Sequence, residues 1–240
     1  MNKDMQELYC MFSNIKEMGF VPSKRKGSTG VGYTFECLIN KKEDSNPCPD
    51  YKSIEIKTLR YHSKQKIHLF SASPDGDCEF PIKNVLNKLG YKRNGIKRCY
   101  ISVYGNKSIQ LGYYKMVKLD INRRKEKIYL KAIDAFGQDM ELNTSWSFAK
   151  LKEKVENKIN SMAVIKVQNK FKNDKEFFYY SKIAFYKIKG FNTFVDLLEK
   201  GIIKVTIKVN ETLDKHLENH GVDFSIEIKD IEMLFDKIKN

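Results

Sequence analysis

The segment Pro49-Asp50-Tyr51-Lys52-Ser53-Ile54-Glu55-Ile56-Lys57 carries two carboxylates and ammonium groups within a short stretch of chain. Ile54 and Ile56 alternate with Glu55 and Lys57. In a β-strand that alternation sends the isoleucines to one face and the carboxylate and ammonium together to the other. Asp50 lies five residues ahead of Glu55, behind a proline that favours extended or turn backbone at Cys48. Two carboxylates and a lysine converging at a strand end can hold a hard divalent cation and leave an ammonium beside its bound water. That is apparatus for phosphodiester hydrolysis.

A second stretch has nearly the same letters: Ser225-Ile226-Glu227-Ile228-Lys229-Asp230, with Asp223 upstream. Asp223 is only four residues before Glu227, so both would lie along one short strand with no turn to aim them at one ion. The first segment also has Glu36 in the helix expected just before it. The second reads as an amphipathic strand with a solvated charged face.

The glycine stretch Gly27-Ser28-Thr29-Gly30-Val31-Gly32 lacks the Gly-Lys-Ser/Thr ending of a nucleotide loop, which argues against ATP. Its amides at a helix start, with Lys24, Arg25 and Lys26 alongside, suit a DNA phosphate. A flexible basic loop is the other reading. The histidines are His62, His68, His216 and His220. His216 and His220 have a spacing that on a helix could share a metal, but no cysteine or H-E-x-x-H pattern supports it. Asn219-His220-Gly221 reads as a turn, from which His220 could equally touch a base edge. Trp146 reads as a core residue, and no Ser-His-Asp or Cys-His arrangement stands out.

These residues need elements to position them. Apolar spacing predicts a helix over 4–18, a second over about 29–41 and a strand at 53–58 behind a loop at 43–49. Beyond it come a buried strand at 98–104, paired strands at 114–122 and 126–134, and a helix from an N-cap at Ser147 to about Ile159. A hairpin at 162–168 and 176–186, a helix at 192–200, strands at 202–209 and 223–228 and a terminal helix at 230–239 complete an α+β pattern with a mixed sheet. Lys and Arg number 44 against 30 acids, a formal charge of +14, which favours a polyanion because neutralised phosphates release counterions. A lysine-rich surface serving solubility is the bland alternative. Five widely spaced cysteines without a C-x-x-C pair read as reduced thiols. No apolar run approaches a bilayer span and the amino terminus is not a signal peptide, so a cytoplasmic protein is expected.

The series Lys24-Arg25-Lys26-Gly27-Ser28-Thr29-Gly30-Val31-Gly32, Thr34-Phe35-Glu36, Pro49-Asp50 and Ile54-Glu55-Ile56-Lys57-Thr58 resembles the amino-terminal half of the MvaI/BcnI-type restriction endonucleases. More distantly it is similar to the mismatch-repair nicking enzyme MutH. The likeness continues through Ser145-Trp146-Ser147-Phe148, the Gly201 to Lys204 stretch and His220-Gly221. It implies a PD-(D/E)xK core, a mixed central sheet flanked by helices, with two lobes forming a DNA cleft. Residues 1–110 would be mainly the catalytic lobe and 111–240 mainly the recognition lobe, interleaving in part. Asp50, Glu55 and the Ile56 carbonyl would ligate Mg2+, Lys57 would orient or activate the attacking water, and Glu36 would complete the acidic cluster. Lys24, Lys26, Ser28, Thr29, Lys208 and His220 would contact double-stranded DNA. The resemblance also implies a monomer that nicks each strand in turn, and a companion DNA methyltransferase in the cell.

The carboxy-terminal half departs from the pattern. Where the family, as aligned, carries an acid and an arginine on a base-reading strand, this chain has Thr206 and Lys208, and Ser225 replaces a further arginine. The recognition sequence is therefore not carried over. A MutH-like enzyme that waits for a partner and a non-catalytic DNA-binding module are the remaining alternatives.

Overall fold

A computed structural model describes residues 1–41, 48–61, 66–76, 79–112, 115–212, 214 and 216–239. His62, Cys78 and most of the loop read at 43–49 lie outside the described residues. The chain forms two compact units that interleave along the sequence. The first comprises Met1–Gln65, Val155–Lys189 and Ile231–Asn240, the second Lys66–Lys154 and Gly190–Asp230. Residue 110, where the sequence reading divides the chain, lies inside the second unit.

The elements begin with α1 (Lys3–Glu17), β1 (Val21–Pro22), α2 (Gly30–Leu38), β2 (Ile54–Arg60), β3 (Lys66–Ser71) and α3 (Glu79–Leu89). Then come β4 (Tyr91–Arg93), β5 (Ile96–Val103), β6 (Ile109–Leu111), β7 (Lys115–Asn122), β8 (Lys127–Ile133), β9 (Thr144–Ser147) and α4 (Phe148–Asn157). The chain continues with β10 (Ser161–Lys172), β11 (Lys175–Ile188), α5 (Phe191–Glu199), β12 (Lys204–Glu211) and β13 (Leu217–Glu227). It ends in α6 (Ile231–Leu234) and β14 (Phe235–Ile238).

In the first unit, β1, β11, β10 and β2 make a mixed sheet in that order, with β14 also on β11. β10 and β11 form an antiparallel hairpin, while β10 runs parallel to β2 from the Ser161–Ile54 pair to Val167–Arg60. Asn2 caps α1 by accepting the Met5 N–H at 3.0 Å. The apolar stripe Met5, Leu8, Phe12 and Ile15 is buried. It shares one core with Phe35 of α2, Ile54 and Ile56 of β2, and Phe178 and Tyr180 of β11. The predicted alternation of β2 is therefore realised: its isoleucines are in the core, and Glu55 and Lys57 share the other face.

In the second unit, β3, β13, β12, β5 and β4 form an antiparallel sheet, and β6 to β9 a second sheet in sequential order. Trp146 is fully buried there, and its indole N–H donates to the Ala72 carbonyl at 2.9 Å.

One local expectation fails. The terminal helix is a single turn, α6, preceded by a 3-10 turn at Ile228–Asp230 and followed by β14. β11 offers a further strand edge, and Phe235 to Ile238 satisfy their backbone there while burying Phe235. Ser147 ends β9 directly before α4, in the N-cap position, and its hydroxyl donates to Asp75 Oδ1 at 3.3 Å.

Candidate active site

β2 begins directly after a tight turn in which Tyr51 and Ile54 exchange backbone hydrogen bonds of 2.9 and 2.8 Å. Lys52 adopts φ +49° within it. That turn holds Asp50 beside the strand, where Asp50 Oδ2 accepts the Ile56 N–H at 2.9 Å. Helix α1 steadies the turn from outside: Tyr51 Oη donates to Glu7 at 3.2 Å, Ser53 Oγ to Asp4 at 2.8 Å, and Lys52 pairs with Glu7. The proline-led carboxylate is thus aimed by backbone geometry that the sequence pattern implied, and fixed by acids of α1 that it did not.

Glu55 is 2% exposed, and Lys57 Nζ lies 2.6 Å from its Oε1. A second ammonium, Lys158, stands 3.8 Å from the same oxygen. Among the described residues Glu55 Oε2 is buried without a hydrogen-bond partner. Burial pushes the Glu55 carboxyl above its ordinary value, Lys57 opposes that shift and the nearby Asp50 charge adds to it. Lys41 Nζ contacts Asp50 Oδ1 at 3.2 Å. Lys41 and Lys158 escaped the sequence reading because neither belongs to the short motif, and no periodicity marks them.

A divalent cation fits this donor set. A buried, unpartnered carboxylate oxygen beside a second carboxylate, in a pair that repels, is the arrangement such an ion relieves. Among the described residues no group of three or more His, Cys, Asp or Glu is gathered closely enough to cage a metal. Glu36 lies on α2. It lines a cleft of about 350 Å3 with Arg25, Ser28, Thr29, Tyr33 and Thr58.

The basic loop before α2 has a defined shape. Arg25 stacks on the Tyr33 ring at 3.8 Å, Ser23 Oγ donates to the Arg25 carbonyl at 2.6 Å, and Thr34 Oγ1 accepts the Lys24 N–H at 2.9 Å. A Cβ at Gly30 would stand 2.3 Å from the Arg25 carbonyl oxygen, so only glycine fits that position. Lys24, Lys26, Ser28 and Thr29 are exposed. Arg60 binds the loop to β11: its guanidinium donates to the Ser28 carbonyl at 2.9 Å and forks onto both Glu176 oxygens at 3.0 Å. The loop is therefore braced, not free-standing.

Lys208 and His220 belong to the second unit. His220 is not in a turn: it lies inside β13, with Nε2 2.6 Å from Asn210 Oδ1 and its ring edge-on to Tyr100. The look-alike segment does not converge either. Glu227 pairs with Lys229 at 3.1 Å, whereas Asp223 pairs with Lys208. Nor is its charged face fully solvated, since Asp223 is 8% exposed.

The sequence profile of the MvaI/BcnI restriction endonuclease family matches residues 9–235. The chain belongs to that family. It is a site-specific nuclease of the restriction endonuclease type. Among solved structures it is similar to restriction endonuclease MvaI in complex with its cognate DNA substrate. That similarity has a TM-score of 0.89 at 27% identity over 99% of this chain and 98% of that one. MvaI in the absence of DNA matches at a TM-score of 0.63 and 26% identity, again over 99% and 98% of the two chains. No curated protein sequence matched. Within this family the mixed sheet carrying Asp50, Glu55 and Lys57 is the expected PD-(D/E)xK core.

Proposed function

We propose that this restriction endonuclease hydrolyses double-stranded DNA with Mg2+, acts as a monomer that cuts each strand in turn, and does its chemistry at Asp50, Glu55 and Lys57. The observation that carries the reading is the buried, unpartnered Oε2 of Glu55 with the Lys57 ammonium 2.6 Å from Oε1. Mg2+ prefers a near-octahedral oxygen set with several waters, so Asp50, Glu55 and the Ile56 carbonyl are sufficient protein ligands. When bound it would supply Lewis-acid stabilisation of the phosphate and of its attacking water. Lys57, held on the strand face by Glu55, orients that water and offsets charge as phosphorus gains its fifth oxygen. The water oxygen bonds to phosphorus and releases its proton to solvent, the bond to the leaving sugar oxygen breaks, and that oxygen takes a proton from solvent or from a neighbouring water. Glu36, in its cleft with Thr58, contributes through water or a second ion. The exposed Lys24, Lys26, Ser28 and Thr29 bind the DNA backbone, which positions the duplex without reading it.

The test is digestion of unmethylated DNA of known sequence with Mg2+, followed by sequencing of the fragment ends. The expected result is discrete ends sharing a short motif, lost with Glu55→Ala or Lys57→Ala while folding and Ca2+-supported DNA binding remain. Unchanged cutting in either variant removes this site from the mechanism.

A further inference from the structure

The β10–β11 hairpin outruns the rest of its sheet. β2 pairs with β10 only as far as Val167, whereas the hairpin continues to the Lys172–Lys175 pair. It closes there through Asn173 and Asp174, with φ of +51° and +56°. Ile165 and Val167 of β10, and Phe178, Tyr180 and Ile183 of β11, join Ile54 and Ile56 in the core. An irregularity beside Lys166 takes up Ser181 and leaves both faces in register. The alternate residues therefore share the opposite face with Glu55 and Lys57. On it β10 carries Lys166, Gln168, Lys170 and Lys172, and β11 carries Lys182 and Lys175. All but the half-buried Lys166 are exposed.

This face sets like charges against each other. Lys166 is the register partner of Lys182, and Lys172 that of Lys175. Like charges directly opposite on a sheet are destabilising. Burial also lowers the affinity of the Lys166 ammonium for its proton. Solubility gains nothing from that arrangement, whereas a polyanion laid across it relieves the repulsion. Lys170 is held over the Phe20 ring at 4.0 Å. Glu176, within the hairpin, is turned to the other face by Arg60 and Asn169. Its backbone ties the hairpin to the basic loop before α2: the Ser23 N–H donates to the Glu176 carbonyl at 2.7 Å.

We propose that this lysine row is a second, sequence-independent DNA contact, holding phosphates of the duplex on one side of the cut. This rests on the nuclease reading above. Val164 is the register partner of Lys57, and Lys172 lies eight residues further along β10. At about 3.3 Å per residue that is roughly 26 Å, the length of about eight base pairs at roughly 3.4 Å each. The row therefore extends past a short site centred on the cut, where ammonium–phosphate contacts add affinity without reading bases.

The test takes the wild type, Lys170→Ala, Lys172→Ala, Lys182→Ala and the triple variant. Lys16→Ala is the comparison, because Lys16 is exposed on α1, which packs on the other face of the sheet. Fluorescence anisotropy on a long duplex with Ca2+ gives affinity against salt. The slope of log affinity against log salt is expected to fall by about 0.9 for each lysine removed, and to stay unchanged in Lys16→Ala. Cleavage with Mg2+ is then followed on duplexes trimmed close to the site on one side or the other. Trimming one particular side should raise the wild-type KM about tenfold. The triple variant should show that higher KM already on the long duplex and be insensitive to trimming, with kcat unchanged. A triple variant with the wild-type salt slope, or with the full trimming effect, overturns the lysine row. A wild type that binds these duplexes but cuts none of them overturns the nuclease reading instead, and the salt slopes then still decide the row.

Discussion

Lys41 Nζ lies 3.2 Å from Asp50 Oδ1, with both side chains mostly buried. The other Asp50 oxygen takes the Ile56 N–H, so an ammonium of the chain itself occupies an oxygen that a metal would use. Lys41→Met should therefore lower the Mg2+ concentration for half-maximal cleavage by about two- to fivefold, the range of a partly screened ion pair. Calorimetric titration with Ca2+ should show the same tightening without turnover. An unchanged or weakened affinity in both measurements would mean that the pair does not compete with the metal.

Glu55 is a cost to the metal-free fold. Its carboxyl is held above the ordinary value because burial outweighs Lys57, and Oε2 has no partner. Glu55→Gln removes the buried charge and leaves Lys57 and Lys158 partly exposed to water. The variant should melt about 2–4 °C above the wild type without metal, the shift that roughly 1 kcal/mol gives a chain of this size. It should cleave nothing. Calorimetry in chelator checks the first point, and a lower melting temperature would show that the Lys57 pair outweighs the desolvation.

The strand proposed as catalytic was legible as a strand because its pattern is local. Alternation buries Ile54 and Ile56, and a proline-led turn brings Asp50 back to the Ile56 amide, all within a few residues. Lys41, Lys158 and the α1 acids Asp4 and Glu7 reach the site only through tertiary packing, which no sequence period encodes. Glu36 shows the converse: its place in the motif is clear, yet α2 sets it in the cleft with Arg25 and Thr58. The terminal helix was misread because its spacing is helical, while an available edge of β11 selects a strand. His220-Gly221 looked like a turn, but Gly221 takes φ +93° within a strand whose pairing with β12 shifts register.

Arg60 links the basic loop to β11 through the carbonyls of Gly27 and Ser28 and a two-pronged pair with Glu176. Both charged side chains are largely shielded from water. Arg60→Ala leaves Glu176 with one remaining donor, Asn169, and should destabilise the fold by about 2–3 kcal/mol. DNA affinity in Ca2+ should fall as the loop loses its brace. Arg60→Lys restores charge but not the fork, so it should recover only part of both. Urea titration gives the stability and fluorescence anisotropy the affinity. Full recovery by lysine would mean that charge, not geometry, is what matters there.

Asp223 makes stability sensitive to acid. Its folded-state pKa is depressed by His68, Lys208 and Ser71 despite burial, so the folded chain binds this proton less readily than the unfolded one. Its contribution is complete above about pH 5 and declines as pH falls below the ordinary aspartate value of about 3.9, towards the lower folded-state value. In Asp223→Asn that contribution is absent at every pH. Urea unfolding of wild type and variant should therefore differ most at neutral pH and converge as the pH approaches 2. A gap between the two proteins that stays constant from pH 5 to pH 2 would show that the Asp223 cluster contributes through packing and not through its charge.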